Sequence, residues 1–309
     1  MALATAPQRL RWVIVNLLEI QMIAKIKRFL YSLPGVRTLV GIRSDIREIH
    51  ALHRLQARIS NEILREQILS GHRYEDSLRL SRHEMKHFSQ NGEDGIISEI
   101  FKRIGTLNRI CVEFGVQNGE QNTGYLLLQG WKAFWLEGST ESCNAIRESA
   151  KEYIGSGRLV LGNEFITREN IAPLFNKYSI PHEVDLLSID LDRNTSHVWP
   201  ALKEWEPRVV VIEYNASFSP NDSWEIPYAA NRVWNRTAYC NASLLRLEEI
   251  GKELGYCLVG CDLTGTNAFF VREDLAGDKF CKPYTAANHY ELPRYLLSGL
   301  GGHPPALSD

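Results

Sequence analysis

Acidic and amide side chains follow two apolar runs of the sequence, and these residue types could do chemistry. Asp190 and Asp192 end one run, and Glu213 and Asn215 end the next. In an open α/β sheet, ligands gather at the carboxyl ends of the strands. Carboxylate and amide oxygens suit a hard cation such as magnesium, which would activate a bound hydroxyl group. One prediction is therefore a magnesium site formed by these four residues.

A second interpretation of the same region needs no metal. Asp190, Asp192 or His197, which opens the next predicted helix, would act as a general base toward an acceptor hydroxyl. A packed or solvent-facing histidine is the alternative for His197. The sequence alone leaves the metal-assisted and the metal-free chemistry open.

A glycine-containing turn follows the first predicted strand. Glu113 is followed by Gly115, Asn118 and Gly119, and glycine lets backbone amides approach a ligand closely. A carboxylate at the mouth of this turn would repel the pyrophosphate of a dinucleotide. S-adenosylmethionine has no phosphate and carries an ammonium and a sulfonium group. The turn is therefore interpreted as part of an S-adenosylmethionine site.

Two further segments are predicted to complete the cofactor site. Glu137, followed by Gly138, ends the second predicted strand 24 residues after Glu113, where an acidic side chain accepts hydrogen bonds from both ribose hydroxyls. A surface glutamate at a strand end is the alternative. Ser89 and Gln90 lie in a polar segment before an apolar helix and are predicted to form a flap over the cofactor. An ordinary helix N-terminus is the other interpretation of that segment.

The elements that must position these residues are short apolar runs alternating with helical segments. This alternation predicts an α/β fold with a doubly wound, mostly parallel sheet. The last two runs are too close for a crossover helix and should form an antiparallel pair at the sheet edge. That is the Rossmann-like sheet of class I methyltransferases, with its reversed last strand. The predicted strands cover residues 109–114, 133–137, 158–161, 185–189, 208–214, 256–259 and 267–272.

Three parts are predicted along the chain. Residues 1–80 form a helical extension, with an amphipathic helix over 10–24 and a second apolar-periodic stretch over 49–63. Residues 81–280 form the α/β domain, and residues 281–309, rich in Pro and Gly, are expected to be loosely ordered. The first helix would touch a membrane surface through Trp12 and its basic neighbours, or pack on its own domain or on a partner subunit in a homo-oligomer.

Composition excludes several classes of protein. Among 309 residues, 35 are Lys or Arg and 37 are Asp or Glu, so the basic excess of a nucleic-acid-binding protein is absent. The six cysteines show neither zinc-site spacing nor a disulfide framework. No stretch is apolar for the length of a membrane span. The chain is expected in the cytoplasm, at the inner face of the membrane if the first helix binds lipid, and its Asn-x-Ser/Thr sequons are read as chance matches.

The motifs together resemble those of the FkbM-like methyltransferases. The resemblance covers about residues 85–275 and implies that Glu113, Gly115, Gly119 and Glu137 line the cofactor site, with the Asp pair facing the acceptor. Gln117 stands where the family pattern has glycine, and Arg193-Asn-Thr-Ser196 stands where it has Gly-Asn-Asp-Tyr. The segments that carry the resemblance are Ser89-Gln-Asn-Gly-Glu-Asp-Gly-Ile-Ile97, Val112-Glu-Phe-Gly-Val-Gln-Asn-Gly119, Ser188-Ile-Asp-Leu-Asp192, Val211-Ile-Glu-Tyr-Asn-Ala-Ser217, Tyr256-Cys-Leu-Val-Gly-Cys261 and Asn267-Ala-Phe-Phe-Val271.

The resemblance implies an O-methyltransferase that acts on a sugar hydroxyl of a surface glycan or lipid-linked glycan. Trp224, Tyr228, Trp234 and Tyr239 would stack on a sugar ring or form an aromatic lid. A catalytically degenerate scaffold with the same fold is the first alternative, suggested by the altered loop after Asp192. A metal-dependent glycosyltransferase is the second, because the spacing of the Asp pair matches an Asp-x-Asp motif.

Overall fold

The computed structural model describes residue 25 and residues 34–116 and 121–298. The predicted helix over residues 10–24 lies outside them. The chain divides into two compact units, residues 1–64 and residues 65–309. The predicted stretch over 49–63 is helical and belongs to helix α1, Pro34–Leu69. Among the described residues, no helix combines the length and the apolar character that crossing a membrane requires.

Seven strands of the described chain form one mixed sheet, in the order β3-β2-β1-β4-β5-β7-β6. The first five strands are parallel, and β7 is antiparallel to both β5 and β6. This confirms the predicted doubly wound sheet with its antiparallel end. The strands are β1 (Ile110–Phe114), β2 (Lys132–Glu137), β3 (Leu159–Asn163), β4 (Leu186–Ile189), β5 (Val209–Glu213), β6 (Tyr256–Cys261) and β7 (Asn267–Arg272).

Helices cover both faces of the sheet, because its strands are apolar on both sides. On β1, Val112 belongs to one core cluster and Cys111 to the other. The helices after α1 are α2 (Glu93–Ile104), α3 (Gly124–Leu128), α4 (Thr140–Ser149), α5 (Lys151–Gly155), α6 (Ile171–Lys177), α7 (Thr195–Val198), α8 (Leu244–Glu253), α9 (Glu273–Ala276) and α10 (Ala286–His289), with 3₁₀ turns at His72–Tyr74, Leu80–His83, Trp199–Leu202 and Tyr295–Ser298.

The strand order reverses between β1 and β4, which lie side by side although β2 and β3 separate them along the chain. In α/β sheets a crevice opens at such a switch point, outside the carboxyl ends of the strands. The acidic and glycine residues singled out in the sequence follow these strand ends. The fold therefore places the candidate site at this edge.

The segment that follows α9 is ordered rather than loose, so the prediction for residues 281–309 is wrong for residues 281–298. Glu291 is buried, and its carboxylate accepts a hydrogen bond from the Tyr74 hydroxyl at 2.7 Å. The Tyr214 hydroxyl, just beyond β5, donates to the Glu291 carbonyl at 3.1 Å. Tyrosine hydroxyls thus fasten this segment to the carboxyl edge of the sheet.

Candidate functional site

The turn after β1 touches the end of β4. Gly115 has φ +71°, and a Cβ atom on it would lie 1.7 Å from the Asp190 carbonyl oxygen. No side chain fits at that distance, so Gly115 permits the close approach of the two strand ends. The predicted cofactor residues Asn118 and Gly119, together with Gln117, lie outside the described residues.

Glu113 holds this turn in place from inside the core. One carboxylate oxygen accepts from the Asn122 N–H at 2.8 Å, and the other accepts from the Thr123 N–H at 3.0 Å and from the Thr123 hydroxyl at 2.5 Å. Burial raises the pKa of Glu113 to about 7. Its described hydrogen bonds all go to the chain's own turn. Glu113 therefore positions the turn, and its predicted part in cofactor binding stays a prediction.

Glu137 ends β2 beside the crevice. Its carboxylate accepts a hydrogen bond from the Ser139 N–H at 2.5 Å, at the start of α4. Burial raises the pKa of Glu137, and the nearby charge of Asp192 raises it further. The charge of the acidic cluster after β4 therefore acts on the carboxylate at this strand end.

Sequence reasoning missed an aromatic residue at the end of β3. Phe165 is 47% exposed, and its ring lies against Gly138, where an added Cβ would be 3.4 Å away. An exposed phenyl ring beside the end of β2 offers a flat apolar surface for a heterocycle. The signal in the sequence is an acidic-aromatic pair, Glu164-Phe165, that follows the apolar run over residues 158–161 after Gly162 and Asn163.

The predicted flap at Ser89 and Gln90 is fixed by a helix N-terminus instead. Ser89 is fully buried, and its hydroxyl accepts from the Asp94 N–H at 3.1 Å. The Asp94 carboxylate accepts from the backbone N–H groups of His87, Phe88 and Ser89. The Ser89 side chain is therefore not available to a cofactor, and Gln90 is half-buried.

Three carboxylates converge after β4 and β5. Ligand oxygens of Asp190, Asp192 and Glu213 all lie within 4.8 Å of one another. Asp192 has φ +57°, a left-handed conformation that a non-glycine residue adopts at a cost of about 1–3 kcal/mol. Burial and mutual repulsion raise the pKa values of Asp190 and Glu213. Such a cluster holds either a cation or shared protons.

Asn215, the fourth predicted metal ligand, turns away from this cluster. Its amide nitrogen donates to the carbonyls of Ala238 and Cys240 at 2.7 and 2.9 Å, and its amide oxygen accepts from the Ser217 N–H at 3.0 Å. Each polar atom of the buried amide is thus occupied by backbone. The prediction that Asn215 binds metal is wrong.

Asn241 stands beside the carboxylates instead, and the sequence analysis missed it. Its amide nitrogen donates to Glu213 at 2.6 Å, and its amide oxygen accepts from the Thr195 hydroxyl at 3.2 Å. Asn241 is buried and has φ +52°. The residue therefore orients Glu213 toward the aspartates.

His197 anchors the long connection between β5 and α8. Its Nε2 is 2.7 Å from the Ile226 carbonyl oxygen, and its Nδ1 is 3.8 Å from the Glu225 carboxylate. The ring also packs edge-on against Tyr228, with centroids 5.4 Å apart. Because Nε2 donates to backbone, His197 is a positioning residue in this geometry, and the predicted general-base role is not supported.

The connection over residues 214–243, called the lid here, has no helix or strand and carries the predicted aromatic residues. Trp224 stacks on Phe218 with centroids 4.4 Å apart and meets Tyr239 edge-on at 5.5 Å. The Trp234 indole N–H donates to the Thr237 carbonyl at 2.7 Å. Trp224 and Tyr239 thus pack within the lid, as the lid interpretation expects.

Tyr228 ties the lid to the segment after β3. Its hydroxyl donates to the Glu169 carboxylate and accepts from the Arg168 N–H at 3.1 Å. The Arg168 guanidinium lies over the Tyr228 ring, 4.1 Å from its centroid. We call these contacts the Tyr228 tie. They join the lid to residues 168–169, which follow Phe165 in the chain.

The C-terminal segment supplies one wall of the site. The Tyr290 hydroxyl donates to the Ala216 carbonyl at 2.6 Å, three residues beyond the end of β5. Burial raises the pKa of Tyr295, and the charge of Glu213 raises it further. The charge of Glu213 therefore acts on Tyr295, although no hydrophobic periodicity in the sequence predicts that this segment approaches the site.

A cleft of about 660 Å³ lies at the other end of the sheet, lined by Trp199, Trp205, Tyr256 and Arg272. Arg272 pairs with Tyr256 and bonds to the Arg208 carbonyl at the start of β5. The cleft is therefore remote from the carboxyl ends of the parallel strands. It contains none of the residues that the sequence singles out for chemistry.

Comparison with known proteins gives matches among solved structures only. No protein-family model matches the chain, and no curated protein matches it. The methyltransferase domain of a bacterial Hen1 protein matches with a TM-score of 0.36 and 12% identity, covering 59% of this chain and 97% of that one. Magnesium protoporphyrin IX methyltransferase from Synechocystis with bound S-adenosylhomocysteine matches with a TM-score of 0.40 and 12% identity, covering 59% and 83%.

An O-methyltransferase from Bacillus cereus in complex with S-adenosylhomocysteine matches with a TM-score of 0.33 and 13% identity, covering 52% of this chain and 67% of that one. At TM-scores below 0.5, these similarities identify no activity for this chain. The strand order, observed directly, carries the assignment of the fold.

Proposed function

We propose that the chain is an S-adenosylmethionine-dependent O-methyltransferase of the FkbM-like type, acting on a sugar hydroxyl of a surface or lipid-linked glycan. The observation that carries the proposal is the position of acidic side chains at the carboxyl ends of neighbouring strands: Glu137 ends β2, and Asp190, Asp192 and Glu213 cluster after β4 and β5. Glu137 suits the hydroxyls of a ribose, and the three clustered carboxylates suit the hydroxyl of an acceptor.

The cofactor half of the proposal uses the ends of β1, β2 and β3. Glu137 would accept hydrogen bonds from the ribose hydroxyls, and the Phe165 ring would lie against the adenine. Gly115 brings the β1 turn against β4, which leaves the methionine part of the cofactor near the carboxylates. The cofactor carries positive charge, so an acidic site favours its binding over that of a phosphate-bearing nucleotide.

The acceptor half uses the three carboxylates. Asp190, Asp192 and Glu213 would hold a magnesium ion, because oxygen ligands within 4.8 Å of one another suit a hard divalent cation. When bound, the ion would lower the pKa of the acceptor hydroxyl. The acceptor oxygen then forms a bond to the methyl carbon, the carbon–sulfur bond breaks with its electrons going to sulfur, and a carboxylate of the cluster takes the hydroxyl proton.

The glycan assignment depends on the family resemblance and on the lid. Tyr228 and Trp234 are both half-buried in the lid, and the Tyr228 ring packs edge-on against His197. Aromatic rings stack on the apolar faces of sugars. Trp224 is committed to the Phe218 stack, so the proposal assigns sugar contact to Tyr228 and Trp234.

Calorimetric titration with S-adenosylhomocysteine, with and without magnesium, tests the cofactor half. We expect micromolar binding that Glu137→Gln weakens by about 10-fold or more, since hydrogen bonds to a charged group contribute about 1.5–3 kcal/mol. Glu141→Gln is the matched control, because Glu141 is exposed on the first turn of α4. Equal affinity in both variants would remove Glu137 from the ribose site.

Titration with magnesium and a screen of sugar acceptors test the second half. We expect Asp192→Asn to keep S-adenosylhomocysteine binding and to lose methyl transfer. Cofactor binding without transfer to any hydroxyl acceptor would favour the degenerate scaffold. Binding of a nucleotide sugar in place of S-adenosylhomocysteine would favour the glycosyltransferase.

A further inference from the structure

Helix α1 carries a continuous stripe of exposed aliphatic side chains. Each of its seven members is between 47% and 58% exposed, although leucine and isoleucine are normally buried. We call this set the α1 stripe. It consists of Ile42, Ile46, Ile49, Leu52, Leu55, Ile59 and Ile63.

The spacing of the α1 stripe is that of a coiled coil. Six intervals cover the 21 positions from Ile42 to Ile63, an average of 3.5 residues. A period of 3.5 keeps a stripe facing a supercoiled partner helix, whereas a helix lying straight on a globular surface repeats every 3.6 residues. In heptad terms, a positions hold Ile42, Ile49, Gln56 and Ile63, and the d positions between them hold Asp45, Leu52 and Ile59. The remaining members of the stripe, Ile46 and Leu55, fall at e and g positions beside the seam.

The exposed area is large enough for a stable dimer. Seven half-exposed aliphatic side chains present on the order of 600 Å² of apolar surface, at the upper end of what a monomeric protein leaves open. Two such stripes facing each other would bury about 1,200 Å², the lower end of specific interfaces. A second copy of the chain therefore supplies a partner of sufficient size.

The predicted helix over residues 10–24 is too short to cover the whole stripe. Its 15 residues would extend about 22 Å, whereas the 21 intervals from Ile42 to Ile63 extend about 32 Å, at 1.5 Å per residue. A second copy has a helix of the same length and the same period. The match of length favours the second copy over residues 10–24.

We propose that α1 forms a parallel, in-register, two-stranded coiled coil with a second copy of the chain. Isoleucine at three of the four a positions, with leucine at the central d position, favours two parallel strands. Gln56, the polar residue among the a positions, would face Gln56 of the partner subunit and fix the register, as polar a residues do. At a g position, Glu48 would approach His53 of the partner subunit.

The oligomeric state of the full chain tests this proposal by light scattering after size exclusion at micromolar concentration. We expect twice the mass of one chain for the wild type and one chain mass for Ile49→Glu/Ile59→Glu. The matched control is Arg47→Glu/Arg54→Glu, which changes two f positions on the opposite face and should stay dimeric. S-adenosylhomocysteine binding or thermal unfolding of the α/β domain shows that each variant is folded.

Cysteine cross-linking tests the orientation. Ile49→Cys should form a disulfide-linked dimer under mild oxidation, because a residues face their own copies in a parallel register. The wild type is the control, since five of its six cysteines are buried. A monomeric wild type, a tetramer, or a dimer that Ile49→Cys does not link would each overturn the proposal. None of these outcomes depends on methyltransferase activity.

Discussion

At the scale of single residues, Gly115 shows how backbone geometry makes the site. The residue has φ +71° and lies where a Cβ would meet the Asp190 carbonyl. We expect Gly115→Ala to lower the free energy of unfolding by more than about 3 kcal/mol, from strain and overlap together, and to abolish S-adenosylhomocysteine binding. Urea unfolding and titration measure these effects.

Gly105→Ala separates the cost of backbone strain from the cost of overlap with a neighbouring atom. Gly105 also has φ +71° but has open space around its Cβ position, so its substitution should cost only about 1–2 kcal/mol from strain. Equal losses in the two variants would show that the contact with Asp190 is unimportant.

The buried carboxyl of Glu113 predicts a dependence of stability on pH. Burial raises its pKa from an ordinary value of 4.5 to about 7, so between these values the folded chain holds a proton that the unfolded chain releases. The stabilisation of the folded chain that comes from this proton is fully present below pH 4.5 and is lost as the pH rises through 7. Relative to Glu113→Gln, the wild type should lose on the order of 3 kcal/mol over this range.

Urea unfolding of both proteins at several pH values measures the difference. The glutamine amide would also disturb the hydrogen bonds from Asn122 and Thr123, which changes the free energy of unfolding at every pH. The test is therefore how the difference in the free energy of unfolding between the two proteins changes with pH. Parallel pH profiles would mean that Glu113 titrates normally in the folded chain.

At the scale of elements, the lid is fastened at one point to the segment after β3. Tyr228→Phe removes the hydroxyl that bonds to Glu169 and Arg168. Because lids of this kind gate ligand exchange, we expect S-adenosylhomocysteine to dissociate several-fold faster, as measured by stopped-flow displacement.

Tyr239→Phe is the control for this experiment. The Tyr239 ring packs on Trp224, and its hydroxyl shows no hydrogen bond within the described chain. Dissociation rates that are equal in the two variants would place the Tyr228 tie outside the route of the cofactor.

The regular elements were predictable from sequence and the irregular ones were not. Strands such as β4 and β5 are buried on both faces and appear as continuous apolar runs. The lid and the C-terminal segment show no hydrophobic periodicity in the sequence, because individual hydrogen bonds, such as those of Tyr228 and Glu291, hold them in place. Their contribution to the site therefore appears only in three dimensions.

The acidic cluster shows the same limit. Asp190, Asp192 and Glu213 follow strand ends and were brought together as predicted from sheet geometry. Asn215 also follows the end of a strand, β5, but its amide donates hydrogen bonds to backbone carbonyls. Asn241, 28 residues after Glu213 in the chain, donates a hydrogen bond to Glu213 instead. Strand position predicts which side chains approach the edge, and local hydrogen bonding decides which of them face the site.

At the scale of the whole molecule, residues far apart in sequence close the α/β unit. Tyr74 is buried, and its hydroxyl bonds to Glu291 across 217 positions of the chain. We expect Tyr74→Phe to lower the free energy of unfolding by about 1–2 kcal/mol, since it removes a buried hydrogen bond to a charged group.

Tyr284→Phe is the matched control, because it removes a more exposed hydroxyl that bonds to the Gly277 carbonyl. Its cost should be below about 0.5 kcal/mol in the same urea unfolding experiment. A loss in Tyr74→Phe no larger than in the control would mean that the Tyr74–Glu291 contact does not hold the unit together.

The Tyr74–Glu291 contact also means that residues near the beginning of the α/β unit and near the end of its described part lie next to each other. Proteins with adjacent ends tolerate circular permutation. A short linker between these regions would turn the unit into a ring, and the ring could be reopened at the exposed turn of residues 156–157, between α5 and β3. The chemistry of the site depends on which strands are neighbours and not on which of them is synthesised first.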